Sequence, residues 1–303
     1  MIIDLRYHIA SLVAVFLALA VGIAVGSVML GNDSVVWQQE KLADSLETEL
    51  RIIRQDNQQL RQKVSAFQNS VHKQGDFEQV ILAQLVKQRL EGMQVAVIDT
   101  TNTGLSPKVV EILQLAGAKI AAVINIQNGL GAGGESRPQR VKEYLGLEDK
   151  QPGEVVSELA HQLGRGIYPG DNLAVLNLMA QEGLIKISGE MGVPVNAVVV
   201  IGGSQEIDGS KVPAKLVDVP LLKYLTSKGL KVYGVEEVDT AISYMPIYQR
   251  LMSSTVDNID TIPGQVSFVW AMEGKSGYYG VKSTAKRFMP EEIGGKLGVG
   301  GKL

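Results

Sequence analysis

The chain has 303 residues, of which 45% are hydrophobic, and a formal charge of −3. It is long enough for one or two domains with a packed core and too apolar to be a disordered chain, and the acidic balance gives no sign of a nucleic-acid partner. It has no cysteine, which excludes disulfides, zinc–thiolate sites, iron–sulfur clusters and thiolate catalysis.

The first element is an uncharged run of 22 residues, Ile9 to Leu30. About 20 apolar residues cross a bilayer core at ~1.5 Å of rise each, whereas the apolar part of a signal peptide is shorter, about 7–15 residues. Ala18-Leu19-Ala20 fits a small-x-small cleavage pattern, but a cut there leaves Val21 to Leu30 as an exposed apolar stub. We read 1–31 as an uncleaved transmembrane signal-anchor, with a cleaved export signal as the alternative. The N-terminal amine and Arg6 precede the span, with Asp4 as a partial offset, while Asp33, Glu40, Asp44 and Glu47 follow it, against Lys41. The positive-inside rule then places the N-terminus in the cytoplasm and the bulk of the chain outside the cell membrane. Ala18, Gly22 and Gly26 form a small-xxx-small ladder, a surface on which two helices approach closely.

Residues 32–75 read as a coiled-coil stalk. Ala43, Leu46, Leu50, Ile53, Asn57, Leu60, Val64, Phe67 and Val71 recur at alternating spacings of three and four. This is a heptad seam, with Ala43, Leu50, Asn57, Val64 and Val71 at a and Leu46, Ile53, Leu60 and Phe67 at d. The polar Asn57 at one a position costs stability but fixes register and favours two parallel strands. The seam predicts a parallel homodimer; an amphipathic helix packed on the chain's own domain is the alternative. Gly75-Asp76 interrupts the pattern, so "FEQVILAQLVKQRL" (77–90) is expected as a separate linker helix within 76–92.

From Met93 the texture becomes α/β. "MQVAVID" (93–99), "KIAAVINI" (119–126), "VNAVVVIG" (195–202) and "LKVYGVEE" (230–237) are short β-branched runs suited to strands buried on both faces. Helical patterns lie between them at 106–117, 137–146, 153–164, 171–183 and 219–229. The alternation predicts an extracytoplasmic Rossmann-like or flavodoxin-like domain over 93–288, with a mostly parallel sheet and helices on both faces. A final helix is expected to start near Pro263. The glycine-rich tail, 289–303, is expected to be flexible.

Ligands of open parallel sheets bind at the carboxyl ends of the strands. Here those ends offer Asp99, Thr100, Asn102, Asn125, Ser204 and Glu237 as a possible crevice, although turns after strands are rich in such residues anyway. "GLGAGG" (129–134) matches G-x-G-x-x-G only formally, because no acidic residue ends a strand about 20 positions later. His161, the one histidine beyond the stalk, has no serine/aspartate pattern around it, so no catalytic residue is assigned and no enzyme activity is expected. The methionines are scattered without an M-x-x-M cluster, so no metal or cofactor set is assigned. Asp257 and Asp260 form either an acidic pair for a cation or a partner, or the cap of the final helix, with Asp260 or Thr261 ahead of Pro263.

"MIIDLRYHIASLVAVFLALAVGIAVGS", the heptad stalk, the α/β domain and "SSTVDNIDTIPGQVSFVWAMEGKSGYYGVK" (253–282) together resemble the MctB/SteB-like family over nearly the whole chain. That family is labelled copper transporter or copper-transport outer-membrane protein. The resemblance implies copper efflux or homeostasis across the envelope. It also implies a link to cell division, through a membrane partner and control of a peptidoglycan hydrolase. One membrane helix forms no pore by itself, and the domain lacks the amphipathic strands of a transmembrane barrel. The reading that follows is a single-pass, dimerised scaffold or regulatory partner in the envelope. Copper transport is the alternative, and a small-molecule sensor or enzyme using the crevice is the second alternative.

Overall fold

The computed structural model describes residues 5–30, 33–127, 139–168, 170–205 and 216–291. The "GLGAGG" segment and the tail from residue 292 lie outside the described residues. The chain divides into two compact units, Met1–Gln74 and Gly75–Leu303.

The first unit is helical. Helix α1 (Leu5–Leu30) contains a stretch, Arg6–Met29, long and apolar enough to cross a membrane. Its hydroxyls are satisfied within the helix: Ser11 Oγ donates to His8 O at 3.1 Å and Ser27 Oγ to Ala24 O at 3.0 Å. A polar side chain in hydrocarbon needs such a partner. Helix α2 (Asp33–Val86) has 54 residues. Its sequence is rich in Leu, Gln, Glu, Arg and Lys, all strong helix formers. Backbone helicity continues through Gly75-Asp76 to Val86, where a break and a separate linker helix were expected. A single glycine costs a helix only about 1 kcal/mol, and the good formers on both sides outweigh it.

The second unit is built on a seven-stranded sheet in the order β3-β2-β1-β4-β5-β6-β7. The four expected strands are β1 (Gln94–Asp99), β2 (Lys119–Ile126), β4 (Ala197–Ile201) and β5 (Lys231–Val235), all parallel. Three short strands were not foreseen: β3 (Ile185–Gly189), antiparallel on β2, and β6 (Ser254–Val256) and β7 (Tyr278–Tyr279), which extend the parallel edge. Each is too short or too polar to stand out as an apolar run.

Strand side chains alternate between the two faces. Ala96, Ile98, Val198 and Val200 face a core built with α5 (Pro152–Ile167), α6 (Leu173–Gln181) and α7 (Asp218–Ser227). Helix α4 (Gln139–Leu145) and the one-turn α8 (Met245–Tyr248) contribute Val141 and Tyr248 to it. Val95, Val97, Val199 and Ile201 face the second core, with α3 (Ser106–Leu115), α9 (Ile262–Glu273) and the end of α2. Leu82 and Val86 of α2 are buried there, with Leu90 just beyond it. Arg89 stacks on the Trp270 ring at 4.0 Å and pairs with Glu273 at 2.6 Å, and Trp270 Nε1 donates to Leu85 O. The final helix starts as expected beside Pro263, with Thr261 as its cap: its side chain accepts from Gly264 N at 3.2 Å.

Candidate functional site

The order of the strands reverses between the parallel neighbours β1 and β4, so their carboxyl ends frame the topological switch point where open α/β sheets bind ligands. Here protein side chains occupy it. Tyr248 Oη donates to Asp218 Oδ2 at 2.6 Å; Thr100 Oγ1 lies 3.3 Å from the same oxygen and donates to Ile201 O at 3.1 Å. Gly202 and Gly234 make room for the ring, since a Cβ on either would lie within 2.5 Å of Tyr248 atoms. Burial pushes the Asp218 carboxyl up to about 7, against the hydrogen bonds from Tyr248 and Thr100, and nearby Asp99 adds to the rise. Burial beside Asp218 also pushes the Tyr248 phenol well above its ordinary value.

A second polar centre lies at the end of β5. Glu236 is fully buried and accepts from Ser243 Oγ at 2.5 Å, Tyr244 N at 3.0 Å and Lys282 Nζ at 2.7 Å. The Lys282 ammonium also donates to Glu237 O at 2.7 Å and to Thr240 Oγ1. Asp257 accepts from Val281 N at 2.7 Å and Lys282 N at 3.2 Å. Burial pushes the Asp257 carboxyl up, partly offset by those backbone donors. Gly280 is required beside it, because a Cβ there would meet Asp257 Oδ1 at 1.9 Å.

The six crevice residues are therefore divided. Asp99 is buried, accepting from Thr101 N and lying 3.2 Å from Ser106 Oγ. Thr100 belongs to the Asp218 cluster. Ser204 is buried, and its backbone pairs with Ile242. Glu237 is half-buried and accepts from Gln205 at 3.3 Å. Asn102 and Asn125 line a cleft of about 470 Å³ between α3 and the β2–β3 pair. Asp257 and Asp260 are spent on backbone N–H groups, Asp260 on Val238 N at 2.9 Å, and the capping role falls to Thr261.

Sequence reasoning missed Asp218, Tyr248, Glu236, Lys282 and Ser106. Glu236 continues the buried run of β5, whereas Glu237 falls out of it, a difference that two consecutive glutamates do not show in sequence. Lys282 carries no local signal, because its partners lie 42 to 46 residues away.

Among the described residues no group of three or more His, Asp or Glu side chains stands where it could hold a metal ion. His161 Nδ1 lies 3.8 Å from Glu158, and its ring packs edge-on against Tyr224 at 4.7 Å. In the stalk, the seam side chains Leu46, Leu50, Ile53, Leu60, Val64 and Phe67 are all exposed, and Asn57 donates to its own Ile53 O at 2.9 Å. Gly22 and Gly26 have open space where a Cβ would stand, and Ala18 and Gly22 line a shallow groove on α1.

An apolar N-terminal helix and a Rossmann-like, mostly parallel sheet define a class: an α/β protein fitted for a membrane anchor. The chain belongs to the MctB family, copper transport outer membrane protein, whose model matches residues 2–290. No curated protein matches the chain.

Proposed function

We propose that this chain is a single-pass envelope protein whose anchor and stalk hold two copies in parallel, and whose α/β unit serves as a scaffold or regulatory partner. The observation that carries this reading is the heptad seam of α2. Leu60 is 61% and Phe67 71% exposed in a single chain, at positions where a coiled coil buries them against its partner. The open ladder of Ala18, Gly22 and Gly26 supports close approach of a second α1. The charge flanks of α1 support a cytoplasmic N-terminus. The α/β unit acts through contact with a protein partner in the membrane or envelope and has no catalytic role.

The absence of native cysteine makes the test direct. Leu60→Cys in the full-length protein in membranes is expected to form an intermolecular disulfide, and Gln62→Cys, on the outer face of the heptad, is not. A Leu60→Cys chain that stays monomeric under oxidation removes the basis of the reading. A membrane-impermeant maleimide should label Gln62→Cys in intact cells if the stalk is extracytoplasmic.

The family description favours a second reading, copper transport or homeostasis. Copper would then be cargo, carried by methionine or histidine donors or by a partner. Calorimetry with Cu(I) and Cu(II) on the purified protein separates direct binding from a supporting role.

A further inference from the structure

The cleft between α3 and the β2–β3 pair has a composition of its own. Its volume, about 470 Å³, falls among small-molecule sites. Val110 and Val123 form an apolar floor. In the antiparallel register Asn125 stands opposite Lys186, and Val123 opposite Ser188, so the two strands set four lining groups in a fixed array. Strands hold a site more firmly than loops do.

The polar lining is pre-arranged. Ser106 Oγ donates to Asn125 Oδ1 at 2.7 Å and rests against the buried Asp99. One acceptor position of the Asn125 amide oxygen is thereby taken, and its NH2 group is left to donate. Gln127 Nε2 donates to Asn125 O at 3.3 Å, leaving its own side-chain oxygen to accept. Asn102 also lines the cleft, with a positive φ of 51°, a state that asparagine adopts more readily than most residues. Donors and acceptors side by side suit hydroxyl groups, which do both.

The charge of the lining selects further. Among the described residues it contains one ammonium, Lys186, and no carboxylate. Among the described residues Lys186 forms no ion pair. A carboxylate finds its counter-charge in this ammonium. We propose that this cleft binds a small hydroxylated organic acid of monosaccharide size, a sugar carboxylate in chemical class. Lys186 takes the carboxylate, the amides of Asn125 and Gln127 take the hydroxyls, and the valines lie under the ring.

A lysine on an edge strand also discourages strand pairing between molecules, and the test separates the two roles. Ligand-observed NMR is performed on the full-length protein in detergent micelles with D-glucuronate as probe, and with D-glucose and D-glucosamine as its neutral and cationic counterparts. Glucuronate is expected to bind with a Kd of roughly 1 mM or tighter, ahead of glucose, with glucosamine silent. Lys186→Gln should weaken glucuronate by about tenfold, the loss of one charged hydrogen bond, and Val110→Trp should abolish binding by filling the cleft. Equal affinity for the three sugars, unchanged binding by Lys186→Gln, or no glucuronate binding up to about 10 mM overturns the proposal. If Val110→Trp fails to fold, Lys186→Gln at its exposed position decides alone.

Discussion

Leucine lives under opposite rules in the two units. In α2 before Gly75, Leu46, Leu50 and Leu60 are each at least half exposed, whereas Leu113, Leu163, Leu221 and Leu225 of the α/β unit are fully buried. The α/β unit closes its own cores on both faces of a sheet; the stalk has a stripe of the same residue types and no second surface of its own to cover it. Apolar area left in water costs roughly 25 cal/mol per Å², so a stripe repeated over four heptads carries a driving force that another chain can release. Folding is therefore a property of one chain in the second unit, and of two chains in the stalk under the proposed dimer.

The largest expected effect breaks the self-contained half. Lys282→Met leaves the fully buried Glu236 without its ammonium partner. Stranding one member of such a pair costs about 3–5 kcal/mol. In a domain of this size that lowers Tm by about 10 °C, measured by calorimetry. Disulfide formation at Leu60→Cys should be unaffected. Leu60→Asp strikes the other half. Each buried leucine contributes about 1.5–3 kcal/mol, and a symmetric layer loses two, so self-association should weaken by roughly 10³-fold in sedimentation equilibrium. The Tm of the α/β unit should not move. A mutation that disturbs both readouts would show that the two units do not stabilise separately.

A pH titration sharpens the same contrast. Asp218 has a folded-state pKa of about 7 against an ordinary 3.8. The folded state thus holds a proton that the unfolded chain releases between those values, so this group's contribution is complete below about pH 4 and declines as pH rises through 7. Tm of the α/β unit should fall across that window by the equivalent of a few kcal/mol at most. Asp218→Asn keeps an acceptor for Tyr248 and Thr100 without the titration. It should flatten the profile and become the more stable form above pH 7. An identical slope in the variant assigns the pH dependence elsewhere.

Period and burial made the frame legible. The uncharged run, the heptads and the four β-branched strands are each written in consecutive residues, so one sequence carries them plainly. The site is written differently. Asp218 meets Tyr248 across 30 residues, and Glu236 meets Lys282 across 46. The residues at the carboxyl ends of the strands were found, but whether they face a cleft or fill one depends on a ring arriving from α8. Tyr248 sits in a four-residue helix with no amphipathic period to announce it. Two glycines that read as ordinary strand and turn residues, Gly234 and Gly202, are the places that ring requires. The break expected at Gly75 shows the converse: the division into two units falls at Gln74/Gly75, but helicity does not stop there, because one residue's low propensity is outweighed by its neighbours.

The smallest expected effect concerns Asn57, the one polar member of the seam. In a single chain its amide donates back to Ile53 O at 2.9 Å, so it is satisfied within its own helix and loses little by staying unpaired. Across a two-stranded a layer, two such amides face each other and hydrogen-bond only when the chains are parallel, in register and two in number. Asn57→Val replaces that requirement with apolar area worth about 1.5 kcal/mol, so association should tighten by about tenfold. Selectivity should fall with it: oxidised Leu60→Cys dimers should be joined by higher oligomers in light scattering, because the polar layer that specifies register and strand number is gone. Tighter association with an unchanged dimer would mean that the rest of the seam, its other a and d layers, sets the strand number. Weaker association would mean that Asn57 makes its pairing contacts with a partner other than a second copy of this helix.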